Sequence, residues 1–203
     1  MIRLKTSSRF LRNENGSLSV EACFSVPLLA WAIVATFVFF DAFKTLNTTQ
    51  KATYTIADMV SREEVELDDD YVTALHEVFT YLSGQQGGPS AIRVSTVSMR
   101  VDEDTGDEFL QLDNSEGILY DDLTAIDAIE DRIPDLAPGE QLIVVESVQQ
   151  WTPAFGVGLA TYQFREVALA RPRFAPRICW ESQPNCAMDV NTPTDASTDD
   201  GEV

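Results

Sequence analysis

Residues 22–40, ACFSVPLLAWAIVATFVFF, hold no charge across 19 positions. As an α-helix rising 1.5 Å per residue, this run is roughly 28 Å long, close to the hydrocarbon thickness of a bilayer. Ala30-Trp31-Ala32 has the small-x-small look of a secretory cleavage site. The apolar run nevertheless continues through Phe40, too long for a signal h-region, so it reads as a retained anchor.

Charge on either side sets the expected orientation. Residues 1–16 hold Arg3, Lys5, Arg9 and Arg12 against one acid, Glu14, whereas from Asp41 onward there are 31 acids and 10 Lys or Arg. Positive residues stay cytoplasmic, which places the N-terminus inside and the acidic body outside the membrane. A net charge of −19 also excludes nucleic acid as a partner, because the body would repel phosphates. With 44% hydrophobic residues, the chain can bury a core.

Beyond the anchor, Phe39, Ala42, Leu46, Thr49, Thr53, Ile56 and Val60 keep three- and four-residue steps, which predicts a helix that continues past the bilayer and lies on the soluble domain. Asp68-Asp69-Asp70 offers capping chemistry for a second helix with Tyr71, Leu75, Val78 and Leu82 on its apolar face and Gly84 as its stop. Residues 91–101 read as a strand, with a phase shift between Val94 and Val97 that predicts a bulge. A turn at 102–106 leads to a returning strand at 107–112. Leu119, Leu123, Ile126, Ile129 and Ile133 predict a short helix, and residues 141–151 and 161–170 two more strands, joined by a Pro/Gly-bearing loop. The tail from 188 is Asp-, Thr- and Pro-rich and reads as disordered.

The expected fold class is therefore α+β: a long N-terminal transmembrane helix continuing into a small extracytoplasmic domain with an antiparallel sheet. Residues 1–16 form a basic cytoplasmic leader, 17–65 the helix and its extension, 66–187 the domain, and 188–203 the acidic tail.

Of three cysteines, Cys23 lies in the apolar run and reads as a packing or lipid-facing residue. Cys179 and Cys186, outside the membrane, are expected to form a short-loop disulfide. Zinc is the sharper alternative, but two thiols without a nearby His or second pair make a poor site.

Gly16-Ser17-Leu18-Ser19-Val20-Glu21 stands immediately before the apolar run. A lone charge within a bilayer costs about 2.5–3.5 kcal/mol even on lenient scales, so Glu21 calls for a partner, a neutral form or a position at headgroup depth. The stretch RFLRNENGSLSVEACFSVPLL resembles the start of the TadE/TadG-like family of tight-adherence (Tad, or Flp-type) pilus proteins, with Gly16, Glu21 and Pro27 in the family's places. Residues 143–153 (IVVESVQQWTP) and 170–180 (ARPRFAPRICW) are similar to segments of its small members. Ala22 stands where such pilins commonly carry an aromatic. The resemblance implies a pilin-like minor pilin or pseudopilin of the short TadE-like form. A prepilin peptidase would cleave it between Gly16 and Ser17, and Glu21 would meet the new α-amine of a neighbouring subunit. Its partners would be other pilin subunits, the Tad pilus assembly machinery and the inner membrane, with possible incorporation in a cell-surface pilus.

Other motifs carry less. Asp102-Glu-Asp104-Thr-Gly106-Asp107-Glu108 looks like part of a calcium loop, but Gly106 stands where the pattern needs Asp or Asn and Asp113 where it needs Glu, so a polar hairpin turn is the plainer reading. Arg171, Arg173 and Arg177 are either a dock for acidic groups or partners for the domain's own acids. His76, the only histidine, reads as inert. No nucleophile–base motif, P-loop or dinucleotide fingerprint is present, so neither an enzyme nor a cofactor or metal is expected. The alternative to the pilus reading is an uncleaved single-pass envelope protein with a periplasmic sensor or adhesion domain.

Overall fold

The computed structural model describes residues 17–84, 89–102 and 105–183. The basic leader and the acidic tail expected at the two ends lie outside the described residues. Helix α1 (Ser17–Ser61) is followed by α2 (Asp69–Ser83), then β1 (Ser90–Val101), β2 (Glu108–Ile118), two single 3-10 turns, β3 (Gln141–Trp151) and β4 (Tyr162–Ala170). The chain forms two compact units. One holds the residues up to Phe43 together with Pro153–Ala160, and the other holds Lys44–Thr152 and the chain from Thr161 onward. Helix α1, 45 residues long, runs through the boundary.

In the first unit every described side chain from 19 to 33 is exposed, Phe24, Leu28 and Trp31 among them. Apolar all round and uncovered over this stretch, the helix is long and apolar enough to cross a membrane. Pro27 sits inside it. Ala35 and Val38 are the first residues of α1 to be buried.

The second unit is built on a four-stranded antiparallel sheet of order β2-β1-β3-β4. Its two central strands are buried on both faces, which is why β3 reads as a continuous Leu142-Ile-Val-Val145 run rather than an alternation. On one face, Ile92, Val94, Ile143, Val145 and Ala168 pack against Ala52, Ile56, Ala57 and Val60 of α1 and Val72, Leu75 and Phe79 of α2. On the other, Val97, Leu142 and Val144 are covered by Leu123, Ile129 and Leu136.

Local punctuation matches its chemistry. Asp68 caps α2, its Oδ1 accepting from the Tyr71 N–H at 2.7 Å, and Gly84 ends it in the left-handed region at φ 81°. Helix α1 stops at Ser61, short of residue 65. The Arg62 and Glu63 amides bond three residues back, to Met59 and Val60, and the Arg173 amide takes the Ser61 carbonyl. The buried face of α2 is Val72, Leu75, Phe79 and Ser83. Tyr71 and Val78 flank it and Leu82 lies outside it, a rotation of about one residue from the expected face.

Three expectations need larger correction. The predicted helix through 119–133 is absent: the segment holds only the 3-10 turns Ile126–Ala128 and Glu130–Arg132. Leu119 has a positive φ of 55°, and the Leu123 amide is taken by the Ser115 hydroxyl, so no helical ladder forms. The apolar residues cover the second sheet face instead. The strand expected to end at 112 runs to Ile118, its polar second half held by pairing with β1. A bulge does occur between Thr96 and Val97, but the extra residue is Asp113 of β2, because Thr96 pairs with Asn114 and Val97 with Leu112. The phase shift in β1 reflects its apolar residues changing from one covered face to the other.

Phe79, fully buried between the helices and the sheet, tests this core. Phe79→Ala should lower the unfolding free energy of the detergent-solubilised protein by about 3–5 kcal/mol. Tyr81→Ala, at a site 83% exposed, should change it by no more than about 0.5 kcal/mol in the same denaturant titration.

Candidate functional site

Of the residues that the sequence singles out, Gly16 lies outside the described residues, Ser17 is the first residue of α1, and Glu21 stands exposed one turn later. Cys23 is an exposed, free thiol on the same helix. Cys179 is disulfide-bonded, while Cys186, its expected partner, lies outside the described residues. The helix thus presents one exposed carboxylate at the edge of a charge-free apolar surface.

In the second unit, the chain after β4 returns across the helical break. Leu67 forms a parallel bridge with Trp180. The Leu67 amide donates to the Cys179 carbonyl at 2.8 Å and the Glu181 amide to the Leu67 carbonyl at 2.9 Å. Trp180 is buried, and its indole N–H donates to Thr96 Oγ1 at 2.8 Å. Gln141 grips the same strap, accepting from the Ile178 amide at 2.6 Å and donating to Asp113 Oδ2 at 2.9 Å. The bulged Asp113, its side chain 4% exposed, also accepts from Ser98 Oγ at 2.7 Å and faces Arg177 at 3.6 Å and Arg100 at 3.8 Å. A bulge that turns an acid inward is satisfied by this ring of donors. Asp113 therefore takes no part in a loop at 102–107, where the Gly106 amide bonds the Asp102 carbonyl in an ordinary hairpin turn.

On the opposite sheet face Arg93 and Glu146 form a buried ion pair through both Nε and Nη2. Arg93 also donates to the Asp121 carbonyl at 2.8 Å, and its guanidinium lies 4.5 Å from the Tyr120 ring centroid. Arg132 reaches the other Glu146 oxygen at 3.4 Å. These contacts pin the 119–132 segment to the sheet. The signal for them was present in sequence as Arg93 and Glu146, charges set within apolar stretches of two strands.

No family model, no curated protein and no solved structure matches this chain.

A polar cleft of about 610 Å³ is lined by Asp68, Asp69, Asp70, Glu116, Asp122 and Glu181, with Trp180 at its wall. Burial, then the charges of Asp69 and Asp122, push the Glu116 carboxyl above its ordinary value. Tyr71 is likewise raised, by burial and by its hydrogen bond to Glu63. Asp68 and Asp122 already accept backbone amides, from Tyr71 and Gly117. Among the described residues no group of three or more His, Cys, Asp or Glu could hold a metal ion. The cleft is acidic, and its lining residues pair no nucleophile with a base. The arginine cluster is dispersed onto the domain's own acids: Arg171 to Glu140 at 2.8 Å, Arg173 to Asp58 at 3.2 Å, and Arg177 to Asp113. His76 Nε2 contacts the Ser90 carbonyl at 2.9 Å and so links α2 to β1.

Two outcomes follow. Arg93→Met strands a buried carboxylate and should cost about 3–5 kcal/mol in chemical unfolding, most of it recovered by adding Glu146→Leu. Glu116, a carboxyl raised in the folded state, favours folding when protonated, and that contribution is lost as pH rises through its raised value. Glu116→Gln should therefore melt slightly higher than wild type at pH 7, within about 0.5 kcal/mol, and the difference should vanish in acid.

Proposed function

We propose that this chain is a minor pilin, pseudopilin or assembly factor of a Tad-type pilus, anchored in the inner membrane with its acidic domain in the periplasm. It acts by packing its helix among those of other pilin subunits rather than by catalysis. The observation that carries this reading is Glu21, an exposed carboxylate at the edge of a charge-free apolar helix and five residues after Gly16. An anchor that merely holds a domain has no use for a charge there. A subunit cleaved after Gly16 does, because its new Ser17 ammonium can neutralise the Glu21 of a neighbour in a parallel bundle, where neither charge is hydrated. The continuation of the same helix onto an antiparallel sheet supports the reading, since it couples the bundle to the domain. The basic leader and acidic body support the orientation.

Mass spectrometry of the membrane-purified protein should find a mature N-terminus at Ser17. Gly16→Leu should retain Met1, and Glu21→Ala should be cleaved yet lose co-purification with pilin partners. An intact Met1 in the wild type, with both variants functioning normally, would leave an uncleaved envelope protein whose helix is an anchor alone.

A further inference from the structure

The first compact unit contains a second segment besides α1: the loop Pro153–Ala160, PAFGVGLA, which joins β3 to β4. It carries no charge and no polar side chain over eight residues, in a body otherwise dense in acids. Phe155 at its tip is 59% exposed. The loop shares its unit with the part of α1 where Ala35 and Val38 are buried, while the described helix residues before Val34 lie bare. These two positions fall inside the apolar run, roughly 3–8 Å short of its end at Phe40 given a rise of 1.5 Å per residue.

We infer that Pro153–Ala160 is a second membrane contact, a loop that dips Phe155 into the headgroup–acyl boundary of the leaflet from which α1 emerges. The inference rests on α1 spanning the bilayer. If it does, a loop in its unit lies against lipid, and the depth matches the 5–10 Å to which interfacial segments insert. Irregular backbone is tolerated at that level and not deeper, where unsatisfied amides are costly. The loop meets part of this demand internally, with the Val157 amide bonding the Phe155 carbonyl at 2.9 Å. At its base the Thr152 and Thr161 hydroxyls lie 3.4 Å apart. Lipid is the occupant these features favour over a protein partner, because the loop is apolar throughout and belongs to the same unit as the uncovered helix.

The test places a benzophenone amino acid singly at Phe155, Leu28 or Thr105 in the full chain, reconstituted in vesicles of phosphatidylethanolamine and phosphatidylglycerol. After irradiation, mass spectrometry should find lipid adducts at 155 and 28 and none at 105. Adducts at 28 with none at 155, or crosslinks from 155 to a second copy of the chain, overturn the loop's role and leave the anchor standing. Absence of lipid adducts at both 28 and 155 overturns the anchor and the loop together.

Discussion

The two-sided burial of β1 and β3 is the constraint on which the rest of the second unit depends. Ile143 and Val145 face one way and Leu142 and Val144 the other, so the sheet cannot be left half-solvated as many antiparallel sheets are. One cover comes from the outer half of α1 and from α2. The other comes from a segment with almost no regular structure, and this is possible because it is fastened by side chains. The Arg93–Glu146 pair, Tyr120 and Arg132 supply at one end what a helical ladder would otherwise provide.

Buried polar groups recur wherever separate segments must meet in one register. Thr53 of α1 and Ser147 of β3 share a hydrogen bond at 2.6 Å in the middle of the helix–sheet interface. Asp113, Gln141, Ser98 and Ile178 join the bulge, the central sheet and the strap. Each such group is costly if its partner is displaced, so a sliding helix or a slipped strand would leave several unsatisfied at once. Apolar contacts drive the assembly and these points decide which arrangement results.

The features read correctly from sequence are those whose cause is local. Asp68 caps and Gly84 stops α2 through their own backbone geometry, and the β-branched run of residues 141–151 has no comfortable alternative to a strand. The errors arise where distant chain decides. Leu123, Ile126, Ile129 and Ile133 have spacings that suit a helix, and they serve equally well as the apolar underside of an irregular cover. The second half of β2, Asp113-Asn-Ser-Glu-Gly117, looks like a turn until its partner in β1 is known. Of the candidate site, Gly16 and Glu21 form a short-range pattern and are visible at once. The strap through Trp180 and the Arg93–Glu146 pair join residues remote in sequence, and only the charges set within apolar stretches of β1 and β3 hinted at the second.

The bridge between Leu67 and Trp180 imposes an order of events. Its two partners are separated by more than half the chain, and Ser61 waits likewise for the Arg173 amide. A chain delivered from its N-terminus exposes Ala52, Ile56 and Val60 well before β3 exists to receive them, and its helical break is uncapped until the strap has been made. Closing so large a loop comes late and slowly. The sheet's helical cover is therefore completed only once the strap after β4 has been made, and until then the outer part of α1 is available to other apolar surfaces before it is available to its own sheet.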